Sequence, residues 1–346
     1  MNKQKPLSLP ILLANWLSVS IIFITSEAVS YYGALAGIAM VLALMLAYVA
    51  FLPRLKNKMK GEAVTSSPKK TSISTKIISF ETFFLSSFVG SMLVENLTHF
   101  PIAFSIWLPP AVAMVFVMFF YKMPRFFNGM KLANIVLIFI VSIFFPIYIY
   151  LQEGLETVYH NLLHYYPKVL HLEQDGLISF FIFCFLIFFT KLTVQLTTIH
   201  HYVGVHSFGK AARKLFAAVV IASSIILALS TMTIVAITQS IEVNHQNYLL
   251  SLFIQQKASP TIYLLFTNVL LGIATINLGI SLKEIVEVKP YKPSITDTGL
   301  LMALLVIPFF YKAEVTVLDL FLASGAGLMM YKLLFLPYAF WINRKN

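Results

Sequence analysis

Lys191, Gln195 and Thr198 stand at i, i+4 and i+7 inside an otherwise apolar run, so on a helix they form one polar stripe. A buried ammonium must pair, deprotonate or reach water. Two readings of Lys191 follow: it carries a proton or holds the place of a bound cation, or it snorkels to the headgroups from the inner half of its helix. A second run carries Ser18, Ser20, Thr25, Ser26 and Glu27, with Ser18 and Thr25 on one face and Ser20 and Glu27 on another. Polar clusters in hydrocarbon face other helices or a water-filled cavity. Ser20, Thr25, Ser26, Glu27, Gln195 and Thr198 are therefore the candidate substrate-binding residues. Glu27, nearer the outer end of its run, fits an interfacial carboxylate as well, and a direct pair with Lys191 looks too long. Lys191, Thr275 and Asn277 are the candidate ion-coupling residues, since a hard cation such as sodium needs several oxygen ligands. Thr275 also belongs to a stripe of Asn268, Gly272, Thr275 and Gly279 that suits close helix packing.

These side chains need apolar elements to hold them. At 59% hydrophobic and 11% charged residues, the 346-residue chain lies outside the range of soluble domains. Ten segments approach the roughly 20 residues a spanning helix needs: about 9–30, 32–53, 77–97, 101–121, 130–151, 176–201, 213–238, 260–283, 295–311 and 316–342. Of the 25 Lys and Arg residues, all but Lys168, Lys257, Lys312, Lys191 and Lys332 fall at the termini or in alternate connections. By the positive-inside rule that side is cytoplasmic, both termini included, and the number of crossings is even. The expected fold is an all-α integral membrane protein built as a single transmembrane domain.

Ten crossings divide into two halves, about 9–151 and 176–342, of opposite orientation. That is the inverted repeat of many secondary transporters, in which the first helix of each half flanks the binding site. The basic segment 54–76 is expected to be a mobile cytoplasmic linker. Connections 152–175 and 239–259 lie outside, and the second carries Ile241, Tyr248, Leu249, Leu252 and Phe253 at the spacing of an amphipathic helix, either a lid or an interfacial loop helix.

The +11 formal charge orients the chain and meets anionic headgroups, so nucleic acid is not an expected partner. Cys184, the one cysteine, cannot form an internal disulfide and fits packing. His160, His164 and His171 make a metal site conceivable, although two histidines at helical spacing without a paired carboxylate or cysteine are weak evidence. His200, His201 and His206 either sense pH or cap a solvated helix end. The sequence holds no Walker-type loop, Ser/His/Asp signature or zinc helix motif. No enzyme activity and no cofactor are expected, apart from a coupling ion, H+ or Na+.

In its motifs the chain resembles the amino acid-polyamine-organocation superfamily, with the ten-helix LeuT-type fold. ITSEAVSYYG at 24–33, VGSMLVEN at 89–96 and a Pro-containing turn into the fourth run are similar to YkvI-type membrane proteins. GKAARK at 209–214, the external amphipathic stretch and the closing LFLPYAFWINRKN are similar to spore-germination GerAB-type transporters. QLTTIHH with the AARK turn resembles sodium:solute symporters more distantly. The resemblance implies a solute site between the first and sixth runs, spanning Ser20 to Glu27 and Lys191 to Thr198. It also implies an ion site between the first and eighth runs at Ala274 and Thr275. Two departures count against parts of this. No Gly or Pro occurs from Ile11 to Tyr32 or from Leu177 to Val203 to interrupt either helix, and Ala274 stands where the symporters place a hydroxyl.

The expected protein is a secondary active transporter of a small organic solute, an amino acid or amine, coupled to an ion gradient in a cell membrane, a bacterial plasma membrane by resemblance. The alternative is a ligand sensor or membrane subunit that keeps the fold without turnover and holds a stable partner membrane protein.

Overall fold

The computed structural model describes residues 13, 16–61, 73–165, 174–196, 208–238, 249–285 and 295–343, and among them every regular element is helical. In chain order these are α1 Ser20–Tyr32, α2 Leu35–Gly61, α3 Ile73–Thr98, the single turn α4 Ile102–Ser105, α5 Leu108–Phe120 and α6 Pro124–Phe139. A π-helical turn, Ile140–Phe144, leads into α7 Phe145–Glu153, followed by α8 Leu155–Tyr165 and α9 Leu177–Val194. The remainder are α10 Phe208–Thr238, α11 Leu249–Lys257, α12 Pro260–Ile285, α13 Ile295–Lys312 and α14 Val317–Asn343.

Seven stretches among the described residues are long and apolar enough to cross a membrane: Leu35–Met59, Lys76–Thr98, Ile102–Phe120, Pro124–Gln152, Leu177–Val194, Phe208–Thr238 and Pro260–Ile285. The protein is a multi-pass helical membrane protein on this ground. Its outer surface agrees, because Phe104, Met118, Phe119 and Leu151 are each more than 70% exposed. In water such faces would associate, whereas in lipid they are solvated.

Two helices organise the interior. α2 lies against α9 and α10, and α12 lies against α3, α5 and α6. α1 packs on α10, α14 and α2, and α14 also rests on α9 and α3. Small residues set the closest approaches. A Cβ on Gly37 of α2 would stand 2.0 Å from Ser230 Oγ of α10, and one on Gly325 of α14 would stand 2.5 Å from Ile187 Cγ1 of α9. A methyl group at either position would have to displace that facing side chain.

Several boundaries differ from the sequence reading, each for a physical reason. α2 continues to Gly61 and α3 begins at Ile73, so much of the expected 54–76 linker is helix, and 62–72 lies outside the described residues. The fifth run begins at Pro124, a favoured first helical position, and so takes Lys131 out of the basic loop and into a helix where it is only 8% exposed. Pro146 cannot donate a backbone hydrogen bond, and the chain widens into the π turn directly before it. Segment 152–175, expected to lie outside, contains helix α8, with His160 and His164 exposed on it, while His171 lies outside the described residues. α11 packs on α12 and α10 with Leu249, Leu250, Phe253 and Ile254 buried, so this part of the amphipathic stretch is built into the bundle rather than laid on the membrane surface.

Candidate functional site

The first apolar run is not one helix. Leu17 amide donates to Leu13 carbonyl at 2.9 Å, Leu17 and Ser18 then leave the helical path, and the backbone resumes with Ile21 N–H on Ser18 carbonyl at 3.1 Å. A break in a membrane helix strands backbone groups that protein must satisfy. Asn134 of α6, fully buried, supplies the donor: its Nδ2 reaches Leu17 carbonyl at 2.9 Å. Ser18 and Ser20 hydroxyls hydrogen-bond each other at 2.6 Å across the break. On the sixth run α9 ends at Val194 with Gln195 at its cap position, and 197–207 lies outside the described residues. Trp16 Nε1–H donates to Gln195 Oε1 at 3.1 Å, so the two discontinuities are tied together. No glycine or proline makes either break. Side chains from neighbouring helices do.

A cavity of about 100 Å³ opens beside them, with Trp16, Ser18, Ser20, Glu81, Lys191 and Gln195 among its lining residues. Ile21, Ile24, Leu44, Leu85, Phe188 and Ile226 give it apolar walls. A dry cavity of about 150 Å³ accommodates benzene, so this one takes a solute of roughly four or five heavy atoms.

One wall is charged. Lys191 Nζ stands 2.7 Å from Glu81 Oε1 of α3, and Ser324 hydroxyl of α14 donates to the same oxygen at 2.7 Å. The ammonium also lies 4.4 Å from the centroid of the Phe321 ring. Lys191 therefore neither snorkels away nor stands alone; it joins α9, α3 and α14 at the cavity. Snorkelling gives way because a charge-assisted bond to a carboxylate is available at shorter reach.

The candidate residues divide between this site and other places. Ser20, Lys191 and Gln195 line the cavity. Thr198 lies outside the described residues. Among the described residues Thr25 and Ser26 have no hydrogen-bond partner for their buried hydroxyl oxygens, and they do not line the cavity. Glu27 is 1% exposed and its Oε2 accepts the Leu318 N–H at 2.5 Å, at the start of α14. Thr316 and Asp319 cap that helix reciprocally, with Thr316 N–H to Asp319 Oδ2 and Asp319 N–H to Thr316 Oγ1 both at 3.1 Å. Glu27 thus adds a third oxygen to a helix N-terminus, where negative charge is favoured. It shares a face with Ser20 but stands about 10 Å further along the helix, which takes it past the cavity to the N-terminus of α14.

Thr275 hydroxyl donates to Leu271 carbonyl at 2.9 Å, within its own helix. Asn277, two residues on, points to another side of α12 and is buried, its Nδ2 without a partner among the described residues. Residues at i and i+2 do not face each other, and neither lines the cavity with Lys191. Gly90 of α3 sits by Ala274, its Cβ position 3.6 Å from the Ala274 Cβ, so that face of α12 serves packing. Among the described residues no group of three or more His, Cys, Asp or Glu could hold a metal ion.

Sequence reasoning missed Glu81 and Asn134. Glu81 was legible as one of two carboxylates, with Glu95, inside the third apolar run, and so as a partner in waiting for Lys191. Asn134 gave no signal, since one asparagine in a helix does not reveal which carbonyl it will meet. No protein-family model matches the chain, and no curated protein matches it either.

Proposed function

We propose that the chain is a secondary active transporter of a small organic solute of the amino acid or amine class, working by ion-coupled alternating access in the ten-helix inverted-repeat arrangement of the LeuT-type fold. The observation that carries this reading is the meeting of two helix breaks, Trp16–Ser18 and Gln195, at a cavity with a charged wall. Broken membrane helices are tolerated where they line a binding cavity, and they are the usual site in repeat-built transporters.

Part of the packing supports the repeat, while the contacts α9–α14, α1–α14 and α1–α2 have no counterpart of similar extent. Exchanging the first five segments for the second five converts the α2–α9 contact into α10–α1, α12–α5 into α3–α13, and α12–α6 into α3–α14. The contacts α3–α12 and α2–α10 convert into themselves. In this reading Ser18, Ser20, Trp16 and Gln195 hold the solute's polar groups, and the Glu81–Lys191 pair compensates its charge or carries the coupling proton. Uptake into proteoliposomes under an imposed proton or sodium gradient tests it: accumulation above equilibrium is expected for at least one small amino acid or amine.

The second reading, a ligand sensor or membrane subunit that binds without turnover, is favoured by one feature. Both breaks are held by side-chain hydrogen bonds rather than by flexible glycine, which suits a static site. It predicts binding with no accumulation and a partner membrane protein that co-purifies.

A further inference from the structure

Lys332 belongs to the charged residues that the solute site does not use. It lies on α14, in the middle of an apolar run, and its ammonium donates to Thr193 Oγ1 of α9. Arg54 of α2 places its guanidinium 4.4 Å from the centroid of the Phe189 ring, also on α9. Phe189 and Thr193 are one turn apart on the same face of α9, so two neighbouring helices each lay a cation over one stripe. Neither cation has a carboxylate partner among the described residues.

The stripe continues upward as lipid-facing surface. Ile182, Leu186, Phe189 and Thr193 follow i, i+4, i+7 and i+11, with Ile182 48% and Leu186 38% exposed. Leu46 and Val49 on the adjoining part of α2 are similarly exposed. Depth is consistent across the three helices. Arg54, Thr193 and Lys332 lie about 23–29 Å from the starts of α2, α9 and α14 at 1.5 Å per residue. A hydrocarbon core is about 30 Å thick, so these cations fall at its basic-loop boundary.

From this juxtaposition we propose that the groove between α2, α9 and α14 is a binding site for an anionic phospholipid, its phosphate held between Arg54 and Lys332 and an acyl chain laid along Ile182, Leu186 and Phe189. The guanidinium and the ammonium supply charge and N–H donors to phosphate oxygens, and the apolar stripe distinguishes a lipid from free phosphate. The occupant faces the outside of α9, the helix whose inner face carries Lys191 to the cavity.

The test compares delipidated full-length protein with phosphatidylglycerol, with phosphatidylcholine of the same acyl chains, and with inorganic phosphate, by native mass spectrometry of bound lipid and by thermal stabilisation. Each cation near a headgroup is worth about 5-fold, so the wild type is expected to prefer phosphatidylglycerol by about 30-fold. Arg54→Gln with Lys332→Gln should lower binding to the phosphatidylcholine level, while Arg54→Lys with Lys332→Arg should retain the preference. A control pair on the same basic side, Lys56→Gln with Lys122→Gln, should leave it unchanged. Equal binding of the two lipids by the wild type overturns the proposal whatever the variants do. So does an equal loss in the control pair, which would mark diffuse attraction to a basic surface, or stabilisation by inorganic phosphate as large as that by phosphatidylglycerol.

Discussion

Removing either member of the Glu81–Lys191 pair should cost far more than removing both. The pair is short, at 2.7 Å, with side chains only 10% and 23% exposed. Deleting one partner of a buried pair costs about 3–5 kcal/mol, because the survivor keeps its desolvation without its compensation. The partial exposure of Lys191 argues for the lower end, about 3 kcal/mol. At about 2.1 cal/mol/K per residue, a chain of 346 residues unfolds with an entropy near 0.7 kcal/mol/K, so 3 kcal/mol lowers Tm by about 4 °C. Ser324 would still donate to Glu81 in Lys191→Met, and the Phe321 ring would still shelter the ammonium in Glu81→Gln. Neither replaces a full charge. The assay is a thermal melt in detergent of the wild type, Glu81→Gln, Lys191→Met and the double variant. Each single variant should melt about 4 °C below wild type, with the double well above both singles. Additive losses, or singles indistinguishable from wild type, would refute the ion pair as a unit of this fold.

Four further outcomes follow from the geometry. Asn134→Ala strands the Leu17 carbonyl at the break and should cost about 1–3 kcal/mol; a melt reads the stability, and solute binding should weaken more than stability does. Trp16→Phe removes the hydrogen bond to Gln195, about 1 kcal/mol, and should abolish any solute-dependent change in tryptophan fluorescence. Glu27→Ala uncaps α14 and should lower stability by about 1 kcal/mol while leaving the KM for uptake unchanged, because Glu27 does not line the cavity. Gly37→Ala forces a methyl group into Ser230 and should cost about 1–3 kcal/mol in the same melts.

The helical membrane architecture was legible because hydrocarbon imposes it: long apolar runs must be helices, and their polar interruptions must face inward. The same logic found Ser20, Lys191 and Gln195, which share the cavity. It failed where one helix face spans more than one environment. Ser20 and Glu27 do share a face, yet two turns separate a cavity wall from a helix cap. The break at Leu17 and Ser18 left no local signature, because its stability comes from Asn134, 117 residues distant in the chain. Counting glycine and proline therefore argued against a break that tertiary hydrogen bonds create. Thr275 and Asn277 lie on different sides of α12, since their spacing turns one away from the other, and neither lines the cavity.

The most direct test of alternating access is the sidedness of the cavity. Cys184 is the one native cysteine and is buried, so Ser18→Cys in a Cys184→Ala background gives a single reporter on the cavity wall. Membrane-impermeant maleimide is applied to either face of oriented vesicles, with and without a proton or sodium gradient and with the solute identified by uptake. The account predicts labelling from both faces, with the balance moved by the gradient and the rate lowered by solute. Labelling from one face alone under every condition would contradict it, and would leave a binding site that never changes sides.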